Sequence, residues 1–424
     1  MLKSRFNRVM LFNLLVGVPL AAALAQAKPA ADPIAPLPDT AQPEPAPPAP
    51  PPPPPLWQVP QAAALLSYIR LVGRDGLTPS DYDPAGLDAA MRSGDPVAVS
   101  AAATDRWNKL SSDLALGHVR GDARIDWHVV DKDLDAVGQR ALLDRALYDN
   151  RVGEALDDLL PTHPQYGALK NALSLTPQTD AAKYNRIRLN LDRWRWLPRD
   201  LGSKYIIVNV PSYYATLVEN GATRWKTRAV AGAIKTPTPQ LTATAVGVML
   251  NPWWEVPTSI SREVAGKPGY VAVKGKDGKV QRWRQPPGST NALGQLKFVM
   301  YNPQNIYLHD TNAKSRFNSS VRAASHGCIR TKDVVDLATQ LLGDDNGEWT
   351  PERIQETLAA KKTVQANFVK PLPIYIVYFS AAANTDGSIV NYDDLYKRDG
   401  KVIAALLDGD GKLPGVAKQK VAAK

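Results

Sequence analysis

Two short stretches decide how this chain is read: Ile306-Tyr307-Leu308-His309-Asp310-Thr311, and Ser325-His326-Gly327-Cys328-Ile329-Arg330. Cys328 is the chain's single cysteine, and two of its five histidines, His309 and His326, lie close to it. A thiol attacks an acyl carbon well only as the thiolate. With an ordinary pKa near 8.5 it needs help at neutral pH. A histidine in reach can take the proton and later return it to a leaving amine. Residues 306–308 read as a short strand that ends at His309, and the loop that follows is long enough to fold back beside Cys328. This makes His309 the expected general base and His326 a supporting group that shapes the site.

The neighbours of Cys328 carry their own chemistry. Gly327 has no Cβ, so its backbone can turn successive N–H groups toward one point. The N–H groups of Cys328 and Gly327 are therefore the expected donors to a tetrahedral oxyanion, with Ser325 as a supporting group in the same turn. Arg330 could hold a carboxylate in its planar fork, or could make a structural ion pair. One cysteine and two histidines fall short of the four ligands of a structural zinc site, so neither a metal nor another cofactor is expected.

Outward from this centre, residues 205–210, 215–219, 224–231, 243–251, 298–300 and 374–379 have the β-branched and aromatic texture of strands. Glu219-Asn220-Gly221 reads as a hairpin turn between the second and third of these. A helix is expected over 331–342, with Thr331 as its N-cap. Residues 261–289 are polar and rich in Gly, Lys, Arg and Gln, around Tyr270 and Trp283. A long insertion of this kind inside a compact domain commonly serves as a lid. Residues 57–174 instead repeat apolar positions at helical spacing, as in Ala63, Leu65, Leu66 and Ile69. The fold class predicted is α+β: a helical domain over 57–174, then a mainly β domain over 184–395 with a capping insertion at 261–289. Residues 396–424 read as a fraying tail.

The start of the chain points to export. Lys3, Arg5 and Arg8 precede an apolar stretch, and the small residues around Ala25 and Ala27 resemble a cleavage site, so residues 1–27 read as a signal peptide. Left uncleaved, the stretch would tether the protein to the membrane. Residues 28–56 hold a run of proline from Pro50 to Pro55, which reads as a stiff polyproline spacer. In an oxidising compartment structural cysteines come in pairs, so a lone thiol suggests use. The formal charge of +10 is spread along the chain and attracts polyanions in general. No nucleic-acid motif accompanies it.

His309 followed by Ser325-His326-Gly327-Cys328-Ile329-Arg330 resembles the signature of the L,D-transpeptidase catalytic domain. Further segments resemble the large Gram-negative branch of that family: Asn190 to Pro198, Asn251-Pro252-Trp253-Trp254-Glu255-Val256-Pro257, Gln285-Pro286-Pro287-Gly288 and Asn291-Ala292-Leu293-Gly294. The helical region resembles the scaffold domain of the branch more loosely. The resemblance implies a periplasmic enzyme that cross-links peptidoglycan. Cys328 would attack the bond between the L-centre of diaminopimelate and D-alanine in a donor tetrapeptide stem. The side-chain amine of a second diaminopimelate would then resolve the thioester into a 3–3 cross-link. It further implies acylation of Cys328 by carbapenems, a capping role for 261–289 and a place for Tyr307 in the donor cleft, where packing is the other reading. The same thioester hydrolysed by water would make an L,D-carboxypeptidase or a hydrolase of protein–peptidoglycan links. A non-catalytic wall-binding protein is the reading outside enzymology. Relatives in this branch often carry a small peptidoglycan-binding domain between scaffold and catalytic parts, and residues 175–183 are too few to hold one.

Overall fold

The computed structural model describes residues 53–411 apart from 131–132, 347 and 385; the leader, most of the proline-rich spacer and the chain beyond 411 lie outside them. Seven helices come first: α1 (Val59–Leu71), α2 (Pro84–Ser93), α3 (Pro96–Leu116), α4 (Ala136–Tyr148), α5 (Val152–Asp157), α6 (Pro164–Ser174) and α7 (Ala181–Arg195), with a two-residue strand β1 (Trp127–His128) between α3 and α4. Helix α3 shows why they form. Pro96 sits at its first position, and the Val97 N–H donates to the Asp95 carboxylate at 2.9 Å. Val99, Ala103, Trp107, Leu110 and Leu114 then fall on one stripe, all buried in the same apolar cluster. Gly117 ends the helix at φ +83°, where a Cβ would run into Trp196. Trp107 is fully buried, so truncation to alanine there costs about 3–5 kcal/mol.

The remaining strands are β2 (Lys204–Asn209), β3 (Tyr214–Glu219), β4 (Ala222–Gly232), β5 (Gln240–Leu250), β6 (Trp254–Glu255), β7 (Val271–Lys274), β8 (Val280–Gln285), β9 (Leu296–Met300), β10 (Leu308–His309), β11 (Ala323–Ser325), β12 (Ile329–Thr331), β13 (Val364–Val377), β14 (Ala381–Ala383) and β15 (Ile389–Asn391). One sheet runs in the order β1-β5-β13-β2-β3-β4-β12-β10-β9, and β9 pairs back onto β5 to close the path. The enclosed cluster holds Ile206, Leu217, Val248, Phe298, Leu308, Ile329 and Ile374, with α9 (Val334–Asn346) and α10 (Pro351–Ala359) packed on it through Leu337 and Ile354. The α+β class and its order, helical first and mainly β second, hold.

Several local expectations are corrected. Thr331 is not an N-cap: it ends β12, and α9 starts at Val334. The late strand begins at Val364, ten residues before the stretch expected. Its register shifts between Asn367 and Leu372, where Pro371 removes a ladder donor, and that break hides the strand's first half from local pattern. Residues 254–285 form more than a loop. Strands β6, β8 and β7 make a three-stranded sheet, and with α8 (Ser261–Val264) they bury Val256, Ile260 and Val264 against Trp254, Tyr270 and Trp283. The stretch expected to fray contains α11 (Asp399–Leu406), whose Val402, Ala405 and Leu406 pack with Val119, Leu189 and Trp196. Among the described residues no helix is long and apolar enough to cross a membrane.

Helix α7 joins the two parts. Its Ile187, Leu191 and Trp194 pack with the preceding helices. Its fully buried Asp192 accepts from the N–H groups of His118 (2.6 Å) and Val119 (3.1 Å) and from Trp196 Nε1 (2.9 Å), and pairs with Arg195. Burial alone would raise the Asp192 pKa, but Arg195, His118 and these donors hold it below the usual carboxylate range. His118 sits between Asp113 (Nδ1 to Oδ2, 2.8 Å) and the Asp408 carbonyl (Nε2 to O, 2.8 Å), so it ties α3 to the C-terminal segment. Burial opposes its charge, yet Asp113 and that carbonyl push its pKa up from 6.5 to about 9. A histidine raised in the folded state stabilises fully below its unfolded pKa, and the gain disappears as pH rises through the folded value. Urea unfolding should therefore show wild type more stable than His118→Gln by on the order of 3 kcal/mol near pH 6, with the gap closing toward pH 9.5. A gap that stays constant across this range would contradict the assignment.

Candidate active site

Strand β10 is two residues long, yet it fixes the site. It pairs in parallel with β12, with Leu308 opposite Ile329 and His309 opposite Arg330. The Ile329 N–H donates to the Tyr307 carbonyl at 3.1 Å, which extends the ladder to the residue beside Cys328. Side chains alternate along a strand, so Tyr307 and His309 share a face with Cys328 and Arg330, while Leu308 and Ile329 point to the core. Cys328 lies diagonally across this face from His309, two residues before the ladder partner Arg330. Both lie on one cavity of about 250 Å³, with Tyr307, Ser325, His326 and Arg330 on its wall and Trp254, Ile260, Glu263 and Tyr270 of the insertion across from them. Cys328 and this segment thus share the walls of one cavity.

Cys328 is half-buried, and its Sγ donates to the Asn305 carbonyl at 3.7 Å. Burial raises the thiol above its ordinary range, opposed by the Tyr307 backbone and hydroxyl and by the charges of Lys297 and Arg330. His309 is 5% exposed, and its Nδ1 has no hydrogen-bond partner among the described residues. Burial, then the Arg330 charge and, more weakly, that of Lys297, push its pKa down to about 3 against the Asp310 backbone, so the imidazole is neutral throughout the physiological range. The pair at rest is thus a neutral thiol beside a neutral base. Tyr307 packs edge-on to His309, ring centroids 5.5 Å apart, and burial followed by the Cys328 charge raises its phenol well above the usual range. It therefore touches both Cys328 and His309 as well as packing.

The turn at Cys328 departs from expectation at one donor. Gly327 takes φ +113°, a conformation suited to glycine, and a Cβ would press on Ile306 Cδ1 at 3.2 Å. Its N–H, however, donates to Ser325 Oγ at 3.1 Å, while Ser325 Oγ donates to the Cys328 carbonyl at 2.5 Å. Gly327 N–H is spent inside the turn, so Gly327 and Ser325 shape the loop, and Cys328 N–H is the remaining donor of the expected pair. His326 faces the insertion, with Nε2 3.6 Å from Glu263 Oε2. Arg330 makes no ion pair among the described residues, and its Nε is buried without a partner; the expected alternative of a structural ion pair is not realised. Among the described residues no cluster is suited to hold a metal ion.

Lys297 was missed in the sequence. It sits opposite His309 on β9, its Nζ lies 5.4 Å from the Tyr307 ring centre, and burial lowers its pKa against the Cys328 and Glu255 charges. The signal was there: a lone cation inside the apolar run Leu296–Met300. Trp254, Glu263 and Asn305 were also unassigned.

Residues 203–364 match the sequence model of the L,D-transpeptidase catalytic domain, and residues 53–173 match that of the scaffold domain. The chain therefore carries an L,D-transpeptidase catalytic domain of the YkuD type, preceded by a scaffold domain. A Haemophilus influenzae protein named "Putative L,D-transpeptidase" is 30% identical over 251 residues, 53% of this chain and 50% of that protein, so the chain spans about half the length of the curated relative it matches. Among solved structures, an L,D-transpeptidase from Mycobacterium smegmatis is 16% identical with a TM-score of 0.22, covering 41% of this chain and 58% of that one. The catalytic domain of an E. faecium L,D-transpeptidase acylated by ertapenem is 15% identical with a TM-score of 0.19, covering 41% and 97%. Likenesses this partial support nothing further.

The charge states give a direct test. Alkylation of Cys328 by iodoacetamide should be slow at pH 7 and climb past about pH 9, with no plateau between pH 6 and 7. A plateau there would reveal a preformed thiolate–imidazolium pair and contradict the neutral pair.

Proposed function

We propose that this protein is an exported peptidoglycan L,D-transpeptidase of the large Gram-negative branch. The observation that carries the reading is one cavity beneath the insertion shared by the thiol, a buried neutral imidazole and a guanidinium with no ion pair among the described residues. The Cys328 sulfur attacks the carbonyl between the L-centre of diaminopimelate and D-alanine, and its proton passes to His309. Cys328 N–H holds the oxyanion. As the tetrahedral centre collapses, the C–N bond breaks, His309 protonates the departing amine, and D-alanine leaves a thioester on Cys328. The side-chain amine of a second diaminopimelate gives a proton to His309 and attacks, forming the 3–3 amide and restoring the thiol.

A second cavity of about 550 Å³ also has Tyr307 in its wall, with Lys297, Tyr301, Asn302 and Asn305. Two cavities with one wall in common suit a donor under the cap and an acceptor beyond it. Arg330 would hold a donor carboxylate, and carbapenems would acylate Cys328 from the same side. The basic, apolar start of the chain would send it to the periplasm, and would tether it to the membrane if uncleaved.

Purified protein incubated with tetrapeptide muropeptides should release D-alanine and form 3–3 dimers, and Cys328→Ala should abolish both. Tripeptide monomers without dimers would show a carboxypeptidase and overturn transfer; products formed by Cys328→Ala would overturn the nucleophile. Arg330→Ala should raise KM for the donor about tenfold or more, since a charge-assisted hydrogen bond is worth about 1.5–3 kcal/mol. An unchanged KM would contradict the carboxylate contact.

A further inference from the structure

The loop between β4 and β5 contains Thr236-Pro237-Thr238-Pro239 and wraps the nucleophile turn. The Ser325 carbonyl accepts from Ala233 N–H at 2.9 Å and from Thr236 Oγ1 at 3.0 Å. Thr238 is fully buried; its Oγ1 accepts from Gly232 N–H at 2.9 Å and donates to the Gly327 carbonyl at 2.7 Å. With an acceptor role already filled by Gly232, the hydroxyl proton is directed at Gly327. The Thr238 N–H donates to Tyr396 Oη (3.1 Å), and Tyr396 Oη donates to the Gly232 carbonyl (2.7 Å), so one phenol closes the loop from outside. Arg398 lies over the Tyr378 and Tyr396 rings at 4.9 and 5.0 Å and pairs with Asp126 at 2.6 Å.

The consequence lies in one peptide plane. The Gly327 carbonyl and the Cys328 N–H belong to the same rigid trans unit, and point in opposite directions. Whatever fixes the carbonyl therefore aims the N–H. Gly327 has no Cβ to restrict this plane, and among the described residues its carbonyl is held by one side chain, that of Thr238. We propose that Thr238, held in turn by Tyr396, is a positioning residue that aims the Cys328 N–H at the developing oxyanion. This rests on the acyl-transfer reading above, and adds a part to it that lies 90 residues from the nucleophile in sequence.

The test separates acylation, which builds an oxyanion, from alkylation, which does not. Wild type, Thr238→Val, Thr238→Ser and Tyr396→Phe are compared by intact mass with a carbapenem and with iodoacetamide, alongside thermal melts. Thr238→Val should lower the saturating acylation rate at least about tenfold, with half-saturating carbapenem concentration and alkylation rate within about twofold of wild type. Thr238→Ser should restore acylation, and Tyr396→Phe should fall between. Equal acylation by Thr238→Val, or parallel loss of acylation and alkylation in both Thr238→Val and Tyr396→Phe, would overturn the proposal. A wild type alkylated by iodoacetamide but never acylated would instead overturn the acyl-transfer reading, and this inference with it.

Discussion

A parallel ladder two residues long, Leu308 with Ile329 and His309 with Arg330, sets the geometry on which the site depends. Strand periodicity does the rest: one face of the pair sends Leu308 and Ile329 into the core, and the other presents Tyr307, His309, Cys328 and Arg330 to a single cavity. A slip of one residue would turn the imidazole inward and a leucine toward the thiol. The register is held because both core residues are fully buried, and because β4 and β9 flank the pair on either side. The same burial that secures the register keeps His309 neutral and the thiol protonated, so chemistry here calls for proton transfer during attack, not for a standing ion pair.

Around this centre the polar groups are organised in two rings of contact. Near the sulfur, Ser325 closes the turn internally, and the Thr236–Thr238 loop closes it externally. Farther out, Tyr396 and Arg398 connect that loop to Asp126, while Asp192 and His118 connect α7, the end of α3 and the Asp408 carbonyl. The helical part is thereby fastened to the β part by buried, charge-assisted hydrogen bonds as well as by apolar contact.

The placement of His309 and Cys328 on neighbouring short strands was largely legible in sequence, because their strand context is local. His309, Cys328 and the helical and β regions could be read from short windows. What escaped depends on distant partners. Thr238 and Tyr396 reach the nucleophile turn from 90 residues upstream and 68 downstream, and nothing in either local window marks them. The helix at Asp399–Leu406 was hidden by Lys and Gly around it, although Val402, Ala405 and Leu406 keep helical spacing. The free donor role given to Gly327 failed for a local reason: a serine two residues earlier competes for its N–H, as serine side chains commonly do in turns.

The central claim is a neutral imidazole facing the sulfur from a neighbouring strand. Nitrogen-15 NMR of histidine-labelled protein tests it most directly. The account predicts a His309 ring that stays neutral at pH 7 and remains so until about pH 3, with resonances that move on Cys328→Ser substitution. An imidazolium at pH 7, or a His309 signal indifferent to the sulfur, would contradict it.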